Sequence, residues 1–296
     1  MSSAAATRGL ALAGRRERRW KMGPGQLRRL VTYVILTAVC VVWIYPFLWM
    51  MSAAVKSNSE IFSGLGLIPK QWHWENFGYA WDGADIGGYF LNTVAVSFSG
   101  VLIVLVTTSM IGYVLGRYSF PGKRIAIGLL GLLVFLPQGY TIIPIFDLIN
   151  KLGLSGNLLG IILAESGSAH IIMILLFAGY FRQLPAELEE SALVDGAGFV
   201  RIFLRIMLPL SKPVIATSII LQFIASWNDF LIPLVLTLSQ PSLRTLAVGV
   251  YSFQGENLTD WADMAAASTI SIIPVVVIFL FLQRYFIEGV AGAVKQ

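Results

Sequence analysis

The chain has 296 residues, of which 56% are hydrophobic and only 12% are charged, and its mean hydropathy is +0.75. A soluble domain carries about twice that share of charged residues, so the composition excludes an ordinary water-soluble protein and favours one built for a lipid bilayer. The single cysteine, Cys40, excludes a disulfide framework and a cysteine-based metal site.

Six apolar stretches are each long enough to cross a bilayer as a helix. A helix of about 20 residues spans a hydrocarbon core of roughly 30 Å and satisfies its own backbone polar groups. The sequence therefore predicts an all-α, polytopic membrane protein with six transmembrane helices. The stretches are residues 30–55, 91–115, 125–148, 158–181, 214–238 and 264–282, within a transmembrane domain at 30–288 that lies between a basic tail at 1–29 and a short tail at 289–296.

The basic residues predict the orientation of these spans. Seventeen of the 21 Lys and Arg residues lie in segments that face the cytoplasm if the N-terminus is cytoplasmic. The other four are Lys56, Lys70, Lys151 and Arg244. Because positive charge accumulates on cytoplasmic loops, both termini are predicted to be cytoplasmic, and the net charge of +5 reflects topology and lipid contact rather than nucleic-acid binding.

The predicted cytoplasmic loop at 182–212 is longer than a hairpin between two spans requires. Acidic residues at 187, 189 and 190 suit a helix N-terminus, and Asp195-Gly196 interrupts the segment. Beyond the interruption, Val200, Phe203, Leu204 and Met207 recur at helical spacing, and Leu208-Pro209 is expected to end that helix. The apolar stripe predicts either a partner surface or packing on this chain's own spans, and the residues leave both open.

The sequence offers little material for catalysis. It has no phosphate-binding loop of the Gly-x-x-x-x-Gly-Lys-Ser/Thr type, and its two histidines and one cysteine do not supply common triads or metal sites. We therefore expect no catalytic residues and no metal ligands in this chain.

The segment 187–213 reads ELEESALVDGAGFVRIFLRIMLPLSKP. It closely resembles the cytoplasmic loop motif of importer-type ABC permeases, which has the form Glu-Ala-Ala, three variable residues, Gly and a distal Leu-Pro. Glu190-Ser191-Ala192 fills the triplet, with Ser where Ala is usual, and Gly196 and Leu208-Pro209 complete the motif. Further stretches resemble the carbohydrate-uptake, maltose-type branch: KSNSEIF from Lys56, YFLNTVAVS from Tyr89, ASWNDFLIPL from Ala225 and QRYFIEGVAGAVK from Gln283.

This resemblance covers nearly everything after Leu30 and implies the type I ABC importer permease fold in a bacterial inner membrane. It implies an ATP-driven importer of a sugar or oligosaccharide, in which this chain is the translocation subunit. The implied partners are an extracytoplasmic sugar-binding protein, a second, non-identical permease and two ATPase subunits. ATP and Mg²⁺ would be bound by the ATPase subunits, so no cofactor is expected on this chain, and movement of the ATPases would drive alternating access.

The resemblance also implies which loop residues couple this chain to an ATPase subunit: Glu190, Ser191, Ala192, Asp195, Gly196 and Ala197. Glu190 would pair with a basic residue of the partner, and the two alanines would allow close approach. Gly196 would permit a backbone turn that a Cβ disfavours. The alternative is that Asp195-Gly196 only caps a helix.

Polar residues inside the spans are the candidates for a sugar path: Trp227, Asn228, Asp229, Glu165 and Gln138. Sugars require polar partners for hydroxyls and flat apolar faces for ring C–H groups. Asn228 lies roughly 22 Å along a helix that starts at Pro213, at 1.5 Å per residue, and Pro233 is expected to break that helix. The alternative is that Asn228 and Asp229 only bond neighbouring helices and fix the kink.

Three other functions are compatible with parts of the pattern. A sugar phosphate such as glycerol phosphate could replace the sugar, whereas amino-acid or peptide cargo fits the branch-specific stretches poorly. A cation-coupled secondary carrier would use Glu165 and Asp229, but the internal repeats typical of such carriers are absent. A receptor or scaffold without transport would have no ATPase partner.

Overall fold

The computed structural model describes residues 24–135, 138–168, 170–254 and 259–294. In these ranges the chain is helical, with one isolated β-bridge between Gln254 and Thr259 and no sheet. The α-helices are α1 (Pro24–Ala53), α2 (Asn58–Ile61), α3 (Glu75–Gly78), α4 (Ile86–Arg117), α5 (Lys123–Leu133), α6 (Ile142–Lys151), α7 (Leu158–Ser166), α8 (Ile171–Gln183), α9 (Glu187–Val194), α10 (Phe199–Ile202), α11 (Leu208–Leu210), α12 (Lys212–Trp227), α13 (Leu231–Leu236), α14 (Leu246–Tyr251) and α15 (Trp261–Val294). Two π-helical segments, Tyr79–Gly83 and Phe203–Met207, and two 3-10 turns, Gln138–Thr141 and Pro241–Leu243, lie between them.

Three single helices are long and apolar enough to cross a membrane. They are Arg28–Ala53, Ile86–Arg117 and Trp261–Arg284, with mean hydropathies of 2.2, 2.2 and 2.5. Each corresponds to a predicted span, but the helices extend beyond the predicted apolar limits. Helix α1 begins inside the predicted basic tail, and α15 continues to Val294 through most of the predicted C-terminal tail. A helix does not stop where its side chains become polar, because its backbone hydrogen bonds continue.

The fourth and fifth predicted spans are broken helices. Helices α7 and α8 together cover the fourth, and they are bent relative to each other by more than 40°. The helical run Phe199–Leu210 meets α12 at a bend of 80°. Helix α12 then ends at Trp227, and α13 continues the predicted fifth span as a separate short helix.

The third predicted span, 125–148, is not one continuous helix. Helix α5 ends at Leu133, the Gln138–Thr141 turn follows, and α6 begins at Ile142. The sequence has Pro137 four residues after Leu133, and a proline has no N–H for the carbonyl four residues before it. Residues 136 and 137 lie outside the described residues. By length and composition the described helices form three spans, or up to five if each bent pair is one span, so the count of six stays a prediction.

The chain divides into two units, Met1–Trp49 and Met50–Gln296. In the second unit α4 is the central helix, and it packs against α7, α8, α12 and α14. A hydrophobic core cluster lies at its C-terminal end and consists of Tyr113, Phe177, Phe181, Ala192, Ile202, Phe203, Met207 and Val214. The core of this unit is therefore built around one long membrane helix.

Two glycines of α4 bring its backbone against α8. A Cβ at Gly112 would overlap Phe177 Cβ and lie 3.0 Å from the carbonyl oxygen of Ile174. A Cβ at Gly116 would lie 2.8 Å from the carbonyl oxygen of Ala178. Small residues four apart allow this close packing in membranes, where helix association depends on van der Waals contact rather than on the hydrophobic effect.

The loop between α1 and α4 is fixed to the end of α1. Lys56 is buried and donates from Nζ to the carbonyl oxygen of Gly66, and Ser52 donates to that of Leu67 at 2.6 Å. Asn76 donates to the carbonyl oxygens of Ala54 and Lys56 at 3.1 and 3.0 Å. These bonds hold a compact loop that carries the exposed stacked rings of Trp72 and Trp74, in keeping with an interfacial aromatic belt.

The contact at Gly112 generates a stability prediction. We expect Gly112→Ala to destabilise the detergent-purified protein by about 1–3 kcal/mol, because an added methyl overpacks a fixed helix contact. Gly128→Ala is the matched control, since Gly128 is also helical and a Cβ there meets nothing within 4 Å. Thermal unfolding should show a lowered Tm for the first variant only, and equal Tm values would contradict the packing.

Candidate functional site

The loop at 182–212 forms two helical arms joined by a tight turn. The first arm is α9, and the second is the continuous run Phe199–Leu210, which comprises α10, the π-helical segment and α11. This agrees with the predicted helix–glycine–helix element. The second arm does not end at Leu208-Pro209 as predicted but at Leu210. The preceding π-helical segment has already shifted the hydrogen-bond register, since Leu208 N donates to Phe203 O, so Pro209 fits without ending the helix.

Gly196 ends α9 in a left-handed conformation, with φ of +75°. The amide of Gly196 donates to the carbonyl of Leu193 at 3.0 Å, and that of Ala197 donates to the carbonyl of Ala192 at 2.9 Å. These two bonds form a Schellman motif, which satisfies the last carbonyls of a helix and favours glycine at this position. A Cβ on Gly196 would meet nothing within 4 Å, so the conformation rather than crowding requires glycine.

The predicted coupling residues divide into an exposed set and a buried set. Glu190, Ser191 and Asp195 are exposed, as is Gly196. Ala192, in contrast, is only 6% exposed and lies in the core cluster around Tyr113, where the half-buried Ala197 packs as well. At Ala192 the predicted close approach is made by this chain's own core. The approach of a partner to the loop stays a prediction.

The apolar stripe of the second arm also divides. Phe203 and Met207 are buried in the core cluster, whereas Val200 and Leu204 are more than half exposed. On the first arm Val194 is 88% exposed. One edge of the stripe thus packs on this chain, and a partner surface on the uncovered edge stays a prediction. We call the exposed apolar side chains of the loop, together with the exposed acids Glu190 and Asp195, its outer side.

An ion pair that the sequence analysis missed attaches α9 to α4. Arg117, the last residue of α4, donates from Nε to Glu189 Oε2 at 2.7 Å, and only 8% and 15% of the two side chains are exposed. Tyr113, one turn earlier on α4, donates its hydroxyl to Glu189 Oε1 at 2.6 Å. The sequence signal was an arginine at the end of an apolar span and the second of three acids in α9, which topology and helix polarity alone also explain.

Trp227, the first of the predicted sugar-path residues, is a core residue. Only 3% of it is exposed, and its Nε1 donates to the carbonyl of Ser271 on α15 at 3.0 Å. Its ring stacks on Phe223 at 5.1 Å and meets the edge of Phe90 at 5.7 Å between centroids. The indole therefore presents no exposed face to a sugar ring.

Asn228 and Asp229 lie in the break between α12 and α13. Asn228 Nδ2 donates to the carbonyl of Ile224 at 2.8 Å, and Asp229 Oδ1 accepts from the amide of Leu231 at 3.2 Å. The side chains thus complete the end of one helix and the start of the next, rather than bonding neighbouring helices as the alternative proposed. The break precedes Pro233, which lies within α13, because the proline leaves the carbonyl of Asp229 without an amide donor.

Glu165 joins the two broken spans. It is 5% exposed at the end of α7, and Oε2 accepts a hydrogen bond of 2.5 Å from the hydroxyl of Ser226 on α12. Its other oxygen and the hydroxyl of Ser166 have no partner among the described residues. A Cβ at Gly100 would lie 3.7 Å from both Ser166 Oγ and Ser226 Oγ, so the backbone of α4 passes beside this group.

The remaining path candidate, Gln138, begins the Gln138–Thr141 turn, and its side chain lies outside the described residues. The structure therefore joins Glu165 to Ser226 beside the break that holds Asn228 and Asp229. Ser226 itself was not predicted. A buried acid in a span is costly and marks a site that faces protein or a polar cavity.

Comparison with known proteins identifies the family. Residues 22–292 match the family described as the binding-protein-dependent transport system inner membrane component. The chain belongs to this family. It is 34% identical over 280 residues to the probable ABC transporter permease YurM of Bacillus subtilis, covering 94% of this chain and 91% of that protein. It is 33% identical to the diacetylchitobiose uptake permease NgcG of Streptomyces coelicolor, covering 90% and 87%, and 30% identical to the trehalose transport permease SugB of Mycobacterium tuberculosis, covering 90% and 98%.

The fold is that of an ABC importer permease. A chain of a bacterial ABC transporter that imports the polysaccharide alginate superimposes with a TM-score of 0.76, covers 88% of this permease and 96% of itself, and is 23% identical. The resemblance to importer permeases and the type I fold that it implied are thereby confirmed, and the protein is an inner-membrane component of a binding-protein-dependent transport system.

The Glu165–Ser226 bond generates a second stability prediction. We expect Ser226→Ala to lower the stability of the purified permease by about 1–3 kcal/mol, because the buried carboxyl of Glu165 loses its hydrogen bond. Ser218→Ala on the same helix is the control, since Ser218 is 1% exposed and its hydroxyl has no partner among the described residues. Thermal unfolding should show a lower Tm for the first and an unchanged or higher Tm for the second. A reversed order would contradict the bond.

Proposed function

We propose that this permease is the translocation subunit of an ATP-driven importer for a sugar or oligosaccharide. The observation that carries the proposal is the match along 90% or more of the chain to permeases named for diacetylchitobiose, melibiose, arabinooligosaccharide and trehalose transport. The proposed assembly contains a second, non-identical permease, two ATPase subunits that hold ATP and Mg²⁺, and an extracytoplasmic sugar-binding protein. Both termini would be cytoplasmic.

The 182–212 loop has the properties that a coupling element needs. It is held by a capped turn at Gly196 and by Arg117, so it transmits displacement rather than absorbing it. Its outer side combines exposed apolar side chains at Val194, Val200 and Leu204 with exposed acids. A partner groove with an apolar floor and basic rim would match this surface. Glu190, Ser191, Asp195 and Gly196 are the proposed contacts, with Ala192 and Ala197 supporting them from inside.

The chemistry of the spans favours an uncharged sugar over a sugar phosphate. None of the 21 Lys and Arg residues lies within the six predicted apolar stretches, so these stretches offer no cation to a phosphate. The Glu165–Ser226 bond is itself buried, but it lies beside the exposed Asn228 and the half-buried Asp229, whose polar groups suit sugar hydroxyls. The two broken spans that it joins are the type of element that lines transport paths, because interrupted helices free backbone groups beside a cavity.

The assembly is tested by purifying the permease in mild detergent from its own host and identifying its partners by mass spectrometry. An ATPase subunit and a second, different permease should co-purify. The completed assembly in proteoliposomes should then take up a candidate saccharide only with its binding protein and ATP present. A permease that purifies alone and transports without ATP would overturn the proposal in favour of a cation-coupled carrier.

Substitution of Gly196 tests the role of the loop. We expect Gly196→Asp to reach the membrane in normal amount yet to lower sugar uptake per ATP hydrolysed by about tenfold, within the 1–3 kcal/mol typical of coupling between sites. The fold admits the carboxylate because the space around the Cβ is open, whereas a docked ATPase surface would meet it.

Gly122→Asp is the matched control for this variant. Gly122 has φ of +85° and equally open surroundings, so the backbone strain and added charge are the same on a different loop. Uptake per ATP should stay normal in the control. Normal uptake by Gly196→Asp, or an equal loss in both variants, would show that the 182–212 loop is not the coupling element.

A further inference from the structure

We propose that Arg117 and Glu189 form a fixed joint through which displacement of α9 moves the central helix α4. The inference rests on the proposed function, since it concerns how motion at the 182–212 loop reaches the membrane. Arg117 acts as a positioning residue: its largely buried side chain fixes the loop to the helix around which the second unit packs.

The guanidinium of Arg117 connects three parts of the chain. From the end of α4 it donates to the carboxylate of Glu189 on α9 at 2.7 Å. It also donates to the carbonyl oxygens of Leu184 at 2.7 Å, Pro185 at 3.2 Å and Phe181 at 3.4 Å, at the end of α8 and in the link to α9. Only arginine presents several donors in a planar fork, so lysine could not make this set of bonds.

The carboxylate of Glu189 is held on both oxygens by α4. Oε2 accepts from Arg117 and Oε1 accepts from Tyr113, which lies four residues earlier on the same helix. Tyr113 is fully buried and its ring packs on Phe203 of the second arm at 5.2 Å between centroids. The carboxylate of Glu189 thus accepts hydrogen bonds from two side chains that lie one helical turn apart on α4. Because of these two bonds, α9 can neither slide along α4 nor rotate on it without breaking the joint.

Breaking the joint would be costly, since both charged side chains are largely buried. An ion pair that loses one partner leaves the other charge without compensation in a medium of low polarity. Exposed ion pairs, in contrast, exchange readily with water and transmit little. The burial of Arg117 and Glu189 therefore distinguishes this pair from the exposed pair of Lys151 and Asp147.

Helix α4 leads from the joint to both broken spans. Its C-terminal part is packed on α8 at Gly112 and Gly116, and its middle passes Ser166 and Ser226 at Gly100. A displacement of α9 carried by α4 would thus act on the contact between α7 and α12, where Glu165 bonds Ser226. Energetic coupling between distant sites requires such a chain of packed, rigid elements.

A simpler role for Arg117 is to cap the free carbonyls at the end of α8, as basic side chains do at helix C-termini. Capping alone would affect how much folded permease is obtained. It would leave the efficiency of each folded transporter unchanged. The ratio of sugar transported to ATP hydrolysed therefore separates the two roles.

The experiment uses the complete transporter, with its ATPase subunits, second permease and binding protein, in proteoliposomes. We expect Arg117→Gln to retain its ATPase subunits within about twofold but to lower sugar transported per ATP by about fivefold or more, as changes along a coupling network do. Arg124→Gln, which changes an exposed arginine in the first turn of α5, should leave the ratio unchanged. Binding of ATPase subunits by the wild-type permease tests the proposed function. The sugar-to-ATP ratio of the variants tests the joint, so the two failures can be distinguished.

Two further variants keep the test decisive if Arg117→Gln is poorly folded. Glu189→Gln and Tyr113→Phe each remove one part of the joint, and both should lower the ratio. The double variant Arg117→Gln/Glu189→Gln should be no worse than the poorer single variant, because the two side chains act as one unit. A normal sugar-to-ATP ratio in well-folded Glu189→Gln or Arg117→Gln would overturn the inference.

Discussion

The close approach of α4 and α8 is the contact on which the rest of the second unit depends. Gly112 and Gly116 remove the side chains that would hold the two backbones apart. The large rings of Tyr113, Phe177 and Phe181 then fill the space beside the contact and create the buried cluster at the end of α4. In a bilayer this packing supplies the association energy that burial from water supplies elsewhere, so a small change in distance has a large effect.

Through that cluster, the polar loop at 182–212 packs on the apolar helix bundle and is fixed to it. Ala192, Ile202 and Phe203 come from the loop and pack against Tyr113, while Arg117 and Tyr113 hold the acid of Glu189. The exposed side of the same loop keeps its apolar and acidic residues free for a partner. The buried side chains therefore fix the loop, and the exposed ones are left for the contact with an ATPase subunit that we propose.

The buried polar groups of the spans lie where helices are interrupted. Glu165 and Ser226 each lie one residue before the end of their helices, α7 and α12, and Asp229 lies in the link to α13. Each interruption leaves backbone groups that must find new partners away from water, and these side chains supply some of them. The same arrangement leaves one oxygen of Glu165 without a partner among the described residues, so the region is polar as well as interrupted.

Much of this protein could be read from its sequence, because the properties concerned are local. Apolar length predicted the three long apolar helices α1, α4 and α15, and the ordered motifs identified the importer permease family and the glycine turn at Gly196. Contacts between distant residues were not predictable in the same way. The enclosed ring of Trp227, the Glu165–Ser226 bond and the Arg117–Glu189 joint connect positions 44, 61 and 72 residues apart, and Ala192 packs in one cluster with Tyr113 of α4. Only the tertiary structure decides them, since helical periodicity shows which residues share a face but not which other helix that face meets.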